Sequence, residues 1–445
     1  MSSAAEQLAA NMNFGAFSKA TELKKRIWFT LGALIVYRLG TYIPLPGIDL
    51  DQVFAAAKKA DESALFGIMN AFTGAGIGSA VLFSLGVMPY ISASIIFSLL
   101  VKVVPALESL SKEGAAGQKK ISQLTRLATV PICVLQGIFV LYGVIYNPQY
   151  QLMPAGGGSL LYSVTVLVAL TAGTMFIMWI GEQISEHGIG NGVSMIIMCG
   201  IVARLPTNLA KALSFRDDAH QMAVTLGLMW IAVVLVVVYL TRGQRRIPIQ
   251  QAKFTRGRKV MGGQRHYLPL KVNQAGVMPI IFASALFIVP NVLGSMPGFG
   301  WLREIFSNAG FVYISLYITL IVFFSFFWVR LMFQPEDIAN NLKEQGSFIP
   351  GIRPGKATSE YLSFVLDRVT LAGAGFLAII AVLPTMLTSR LHVDPMVAYF
   401  LGGTSILIVV GVALDIVDRL NAQLLSRNYE GFMKGGGSGW AKKKS

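Results

Sequence analysis

The residues of this chain that could do chemistry are few, and their spacing limits what they can do. There is no HExxH pair of histidines and no Walker A glycine–lysine loop, so the usual frames for zinc and nucleotide hydrolysis are missing. Gly436-Gly437-Ser438-Gly439 fits the GxSG pattern of intramembrane serine proteases, but it sits in a glycine-rich tail beyond the last apolar segment, where the match is chance. Gly188-Ile189-Gly190-Asn191-Gly192 has the glycine density of a nucleotide loop, yet it follows an apolar span rather than a β-strand. Asp217, Asp218 and His220 could be imagined around a metal ion, but they read as a turn in an outer loop. Cys133 and Cys199 lie inside apolar segments and suggest neither a disulfide framework nor a metal site. No catalytic constellation and no cofactor are expected.

The remaining chemistry is that of charge. Arg38 is the one Lys, Arg, Asp or Glu well inside an apolar segment; Glu182, Arg330, Asp415 and Asp418 stand at segment ends. Pumps and ion-coupled transporters place ionisable groups at mid-membrane, so their scarcity weakens that reading while leaving a passive pore or a neutral-solute transporter open. Arg38 is expected to snorkel or pair near the outer interface. The stretch 241–272 holds nine Lys/Arg and no acid. Arg245-Arg246-Ile247-Pro248-Ile249-Gln250 and His266-Tyr267-Leu268-Pro269-Leu270 read as extended arms, with Thr255-Arg256-Gly257-Arg258-Lys259 as the tip between them. Such a loop can fix topology and touch anionic lipids, or dock an acidic partner, ribosomal RNA phosphates included. In Gln334–Gly355, Pro335 near a helix start, Glu336 and Asp337 in a first turn and Gly346 after Gln345 predict a short capped helix, followed by a turn-rich arm carrying Arg353.

The elements that must position these residues follow from composition. Of 445 residues 54% are hydrophobic and 13% charged, about half the charge of a soluble protein. That excludes a disordered chain, a disulfide scaffold and an ordinary cytosolic enzyme, and points to a bilayer. Ten apolar segments can be marked: 27–43, 80–101, 123–145, 160–181, 189–205, 221–240, 273–290, 311–333, 369–387 and 397–417. The first follows Lys24-Lys25-Arg26, lacks a small-residue cleavage pattern and reads as a retained span rather than a signal peptide. The fifth has a short apolar core, Val193 to Leu205, of a length that also suits a re-entrant piece. Charge arbitrates. With all ten segments spanning and the N-terminus inside, 29 of the 37 Lys/Arg fall on the inner side and 7 on the outer. Without the fifth span, the nine basic residues of 241–272 would face outward, against the positive-inside rule. Ten spans make two sets of five of opposite orientation, the arithmetic of an inverted repeat, though no residue-level similarity joins the halves.

One further segment is irregular. Ser63 to Ala80 carries apolar residues at helical spacing, Leu65, Ile68, Met69 and Phe72 with Phe66 between, then Gly74, Gly76 and Gly78. It reads either as an external amphipathic loop or as a mobile segment lining a cavity, since irregular backbone survives at membrane depth only inside protein or beside water.

Several long strings resemble the SecY family, the channel subunits of bacterial protein-conducting translocons. They are Gly86-Val87-Met88-Pro89-Tyr90-Ile91-Ser92-Ala93-Ser94-Ile95, Gly188 to Ile197, Arg242 to Gln250, Asn273 to Ala283, Gln334 to Gly355, and Gly402-Gly403-Thr404-Ser405, in the family's order. The N-terminus, the loops 146–160 and 206–220 and the lysine tail match weakly. The resemblance implies an all-α polytopic fold: ten transmembrane helices in two pseudo-symmetric inverted halves, a clamshell around an hourglass pore. The implied organisation is a cytoplasmic N-terminus (1–26), an N-terminal half (27–205) with a plug at 63–76, an outer hinge loop (206–220), a C-terminal half (221–417) with cytoplasmic loops 241–272 and 334–368, and a cytoplasmic tail (418–445).

By the same resemblance Val87, Ile91, Val193, Ile197, Ile281 and Ile408 form the pore ring; several family members have isoleucine where this chain has Val87 and Val193. Ser92, Gln136 and Asn273 match the lateral gate, and Leu65, Phe66, Ile68, Met69 and Phe72 the plug. Arg245, Arg246, Arg256, Arg258, Lys259 and Arg353 match contacts for the SecA motor ATPase and the ribosome, including its rRNA. Implied partners also include SecE-like and SecG-like small membrane subunits, unfolded preprotein with its signal sequence, and anionic lipids. The implied location is the bacterial inner membrane with both termini cytoplasmic. Rival readings are a secondary transporter of a neutral solute, which has little use for two large inner projections, and a polytopic enzyme, which lacks its catalytic residues. A reporter fused after Leu205 is expected to behave as an outer-side fusion; cytoplasmic activity of that reporter would invert half the topology.

Overall fold

The computed structural model describes residues 21–48, 80–146, 159–214, 219–251, 254–256, 259–261, 265–280, 282–283, 286, 310–391 and 404–436. Among these the chain is mostly helical. The helices are α1 (Thr21–Gly40), α2 (Met88–Val103), α3 (Pro105–Lys112), α4 (Ala115–Val140), α5 (Leu160–His187), α6 (Gly192–Ser214), α7 (Ala219–Arg242), α8 (Phe311–Met332), α9 (Pro335–Glu344), α10 (Lys356–Leu391) and α11 (Thr404–Gly436). Among the described residues four helical stretches are long and apolar enough to cross a membrane: α4, α5, Phe311–Glu344 and Lys356–Leu383. The pair α2 and α3, bent by 98° at their junction, would be a fifth. Helices dominate because hydrocarbon offers no partner for a backbone N–H or C=O. The plug residues Leu65, Phe66, Ile68, Met69 and Phe72, and residues 281, 284–285 and 287–290 of the seventh apolar segment, lie outside the described residues.

Two compact units divide the chain. The first comprises residues 1–98, 109–204 and 411–445. Here α5 packs against α1 and α4, around a core that includes Tyr37, Phe83, Leu85, Val140, Leu170, Ile177 and Ile196. Glycine lets backbones approach: a Cβ on Gly173 of α5 would run into the Leu82 carbonyl. The second unit comprises residues 99–108 and 205–410. In it α10 packs against α8 and α9.

Element ends depart from the apolar runs in ways with local causes. The segment at 80–101 is not one helix. Residues 80–87 form turns, with Ala80 at φ 48° and Gly86 at φ 55°. They are tied to the residues just after α1 by Leu45 N–H donating to Ala80 O at 3.0 Å and Leu82 N–H to Ile43 O at 2.9 Å. Ser84 Oγ accepts from Val81 N at 2.9 Å and donates to Val81 O at 2.6 Å, so this buried non-helical stretch keeps its polar groups paired. Helix α6 runs through Pro206 to Ser214, past the apolar limit at Leu205. Likewise α10 starts before, and α11 ends after, its apolar segment. Hydropathy marks where side chains meet lipid, whereas helices continue wherever backbone bonding does.

The glycine loop between α5 and α6 is a tight helix–helix turn. Asn191 Oδ1 accepts from Val193 N at 3.1 Å and Ser194 N at 3.3 Å, the N-cap of α6. Gly192 N donates to Ser185 Oγ at 2.8 Å, and Ile189 N to Thr30 Oγ1 on α1 at 3.3 Å. These four donors are spent internally and are not open to a phosphate. A Cβ on Gly192 would strike the Gly181 carbonyl and crowd Ile184. Replacing Gly192 by alanine should therefore cost about 1–3 kcal/mol by overpacking against backbone that cannot yield. Gly375→Ala, where nothing lies within 4 Å, should be neutral or slightly stabilising. Thermal unfolding in detergent measures the difference; equal midpoints would disprove the close packing.

Candidate functional site

The second unit carries a small β-structure built from the two polar projections foreseen in the sequence. The arms of 241–272 are strands β1 (Gln244–Gln251) and β4 (Arg265–Lys271), paired antiparallel from Gln244↔Lys271 to Gln250↔Arg265. The tip is a hairpin of β2 (Phe254–Arg256) and β3 (Lys259–Met261), with Arg256 opposite Lys259. Arg258 lies outside the described residues. Ile247 and Ile249 alternate inward while Arg246 and Pro248 stay exposed, the period-2 pattern of a half-buried sheet.

The projections are one module rather than two. Strand β5 (Ser347–Phe348) pairs antiparallel with β1 through Gln250↔Phe348 and Gln251↔Ser347, giving the order β4-β1-β5. Beneath the sheet, Ile247 and Leu270 pack with Val329 of α8, Ile349, and Leu362 and Leu366 of α10, with Ile338 of α9 against them. The expected capped helix is α9: Pro335 at its start, Glu336 and Asp337 in the first turn, Lys343 in the last. Gly346 follows at φ 65°.

Arg353 stands exposed on the turn between β5 and α10. The turn is braced by Thr358 Oγ1 donating to Arg353 O at 2.9 Å and by Ile352 N donating to Ile349 O at 3.1 Å. Gly351 at φ 86° and Gly355 at φ 101° supply the left-handed backbone that such a turn demands. Arg245 and Arg246 are exposed as well. The module thus presents exposed arginines on a sheet packed against two apolar helices, α8 and α10.

The apolar candidates divide between the units. In the first, Val87 is buried in the core, and Ile91 and Val193 pack against that same core. Ile197 is half-buried one turn beyond Val193 on α6. In the second unit Ile408 is buried near the start of α11. Ile281 lies outside the described residues. Of the seam residues, Ser92 on α2 and Gln136 on α4 are half-buried in the first unit. Asn273 belongs to the second unit, where a Cβ on Gly373 of α10 would meet the Val272 carbonyl and come within 3.7 Å of Asn273 Cα. The Asn273 Oδ1 atom is buried and accepts no hydrogen bond among the described residues.

Other contacts escape a reading of the sequence. Arg126 of α4 meets Glu182 of α5 with Nε to Oε1 at 2.6 Å. Counted as a loop cation and a helix-end acid, they carry no sequence signal of pairing, because residues 56 apart meet only when the helices pack. Arg26 Nη1 donates to Gly188 O at 3.5 Å. By contrast, the Arg419–Asp415 pair, 2.9 Å, has i,i+4 spacing and is legible from the sequence. Arg38 stands 5.8 Å from the Tyr42 ring centroid, a cation–π pairing at the end of α1. Among the described residues no three His, Cys, Asp or Glu converge to hold a metal ion.

Comparisons with known proteins bear on this arrangement. A family model, SecY, matches residues 81–417. The chain is 42% identical to a protein translocase subunit SecY from Streptomyces scabiei, over 95% of this chain and 99% of that one. A solved protein-conducting channel shares the fold with a TM-score of 0.61 at 20% identity, covering 91% of this chain and 93% of that one. Sec61 in the canine ribosome–channel complex from the endoplasmic reticulum does so with a TM-score of 0.58 at 18% identity, over 91% and 93%.

Proposed function

The chain belongs to the SecY family, and from that premise we propose that it is the central subunit of a protein translocation channel, a passive gated conduit for unfolded preproteins. The observation that carries this reading is the 42% identity to a translocase subunit over almost the whole of both chains. That relationship gives no support to a neutral-solute transporter. The protein is a multi-pass membrane protein. In the proposed reading it sits in a bacterial inner membrane with both termini cytoplasmic and ten spans in two inverted halves, 27–205 and 221–417.

Between the halves, Val87, Ile91, Val193, Ile197, Ile281 and Ile408 form the constriction. A substrate chain brings every side-chain type in turn, and a polar grip would hold some of them. An aliphatic collar offers no directed bond, conforms to what passes and dewets when empty. The segment 63–76 fills the outer funnel at rest. Ser92, Gln136 and Asn273 line the seam through which apolar segments leave for lipid. The Oδ1 of Asn273, buried and without a hydrogen bond among the described residues, supports that role, since an amide at a helix seam forms bonds of roughly 1 kcal/mol, weak enough to open.

The β-module and Arg353 dock the driving partner, a SecA motor or a ribosome, and SecE-like and SecG-like subunits complete the complex. The ribosome-bound Sec61 relative supports ribosome docking at a channel of this fold. This chain does no catalysis of its own, and the energy comes from the partner.

Reconstitution with the small subunits, motor, ATP and a labelled preprotein tests the proposal: preprotein should become protease-protected only with this chain present. Arg353→Glu should weaken motor engagement roughly tenfold, as loss of one charge-assisted contact does; export at the unaltered rate would remove Arg353 from the docking site. Separately, Gln136→Leu or Asn273→Leu should shift the minimum signal-sequence hydrophobicity that export requires. Unchanged stringency in both variants would count against the latch.

A further inference from the structure

The β4-β1-β5 sheet has a second face. Side chains alternate along a strand, and directly paired residues share a face. Ile247 with Leu268 and Arg245 with Leu270 therefore lie on the side of the module's core. On the other side the register sets Arg246 opposite Pro269, Pro248 opposite Tyr267 and Gln250 opposite Arg265, with Lys271 at the end. Arg246, Pro248, Arg265, Tyr267, Pro269 and Lys271 are all exposed, Tyr267 to 60%. The stretch 241–272 contains no acid that could neutralise this face.

An aromatic ring held open to water between two prolines, with an arginine diagonal to it and another two residues along its strand, is more than a basic patch. Strand geometry places both arginine Cα atoms about 7–8 Å from that of Tyr267, within reach of groups flanking anything laid on the ring. Carboxylates of an acidic protein need the cations but not the ring. Lipid headgroups need neither a flat ring nor this reach: Pro248 stands six residues beyond the end of α7, a strand contour of about 20 Å. An unpaired nucleobase with its phosphates uses both, by stacking on the ring and by charge.

We propose that this outer face is an RNA-docking surface on which Tyr267 stacks an unpaired base of ribosomal RNA while Arg246 and Arg265 hold the flanking phosphates. The inference rests on the reading of the chain as a ribosome-docking channel and deepens it. Tyr267 supplies stacking, which salt leaves largely untouched; the arginines supply the salt-dependent part.

The test measures binding of purified ribosomes to the full channel complex in vesicles over a range of salt, beside motor-driven export and flotation on anionic vesicles. Tyr267→Ala should weaken ribosome binding roughly 5- to 100-fold with an unchanged salt slope, and Tyr267→Phe should retain it. Arg265→Glu should lower both affinity and slope. Ribosome affinity within twofold of wild type in Tyr267→Ala overturns the stacking. An equal loss of motor-driven export marks the face as a protein-docking one, and a loss seen only in flotation marks it as a lipid contact; each overturns the RNA assignment. A wild-type complex that exports with the motor yet binds no ribosome overturns the broader docking reading as well, a failure distinct from one at Tyr267.

Discussion

Hydrocarbon gives a peptide group nothing to bond with, and the rest of this structure depends on that constraint. Helices meet it along most of the chain. The informative places are those where a helix stops inside the packed first unit. At 80–87 the turns are sustained by Ser84 and by bonds to residues 43 and 45. At 188–192 Asn191, Ser185 and Thr30 take the freed N–H groups. Glycine at these sites is a packing requirement: at Gly192 a side chain would occupy the space of the Gly181 carbonyl. Breaks in the helices are thus as tightly specified as the helices.

The β-module obeys the opposite solvent. In water a two-stranded ribbon is marginal, and 241–272 has too few apolar residues to bury a core alone. It gains one by laying Ile247 and Leu270 on the ends of α8 and α10, and a third strand from β5. The consequence is mechanical: cations held on a sheet that shares its core with two apolar helices belong to the same compact unit as those helices.

Several parts of this arrangement were legible in the residues. Pro335, the acids after it and Gly346 announced α9 because capping is a local effect. Arg245–Gln250 and His266–Leu270 read as extended arms from the sequence, and the structure pairs them as antiparallel strands. The apolar segments announced helices, with ends misplaced at Met88, Ser214 and Lys356, since an apolar run measures immersion rather than backbone bonding. The i,i+4 pair Asp415–Arg419 could be read from spacing, whereas Arg126–Glu182 could not.

Taken alone, the sequence determined what depends on near neighbours or on composition: the bilayer as solvent, the capped helix, the extended arms, and by its long motifs the family. The tertiary structure decided what depends on residues far apart in the chain. It joined the two projections through Gln250 and Phe348, turned the glycine loop into a packed corner against Thr30, and sent Tyr267 to the sheet face away from the core. The reason is physical: local propensity and hydropathy act over a few residues, whereas which strand lies beside which is settled only when distant segments compete to bury the same apolar surface.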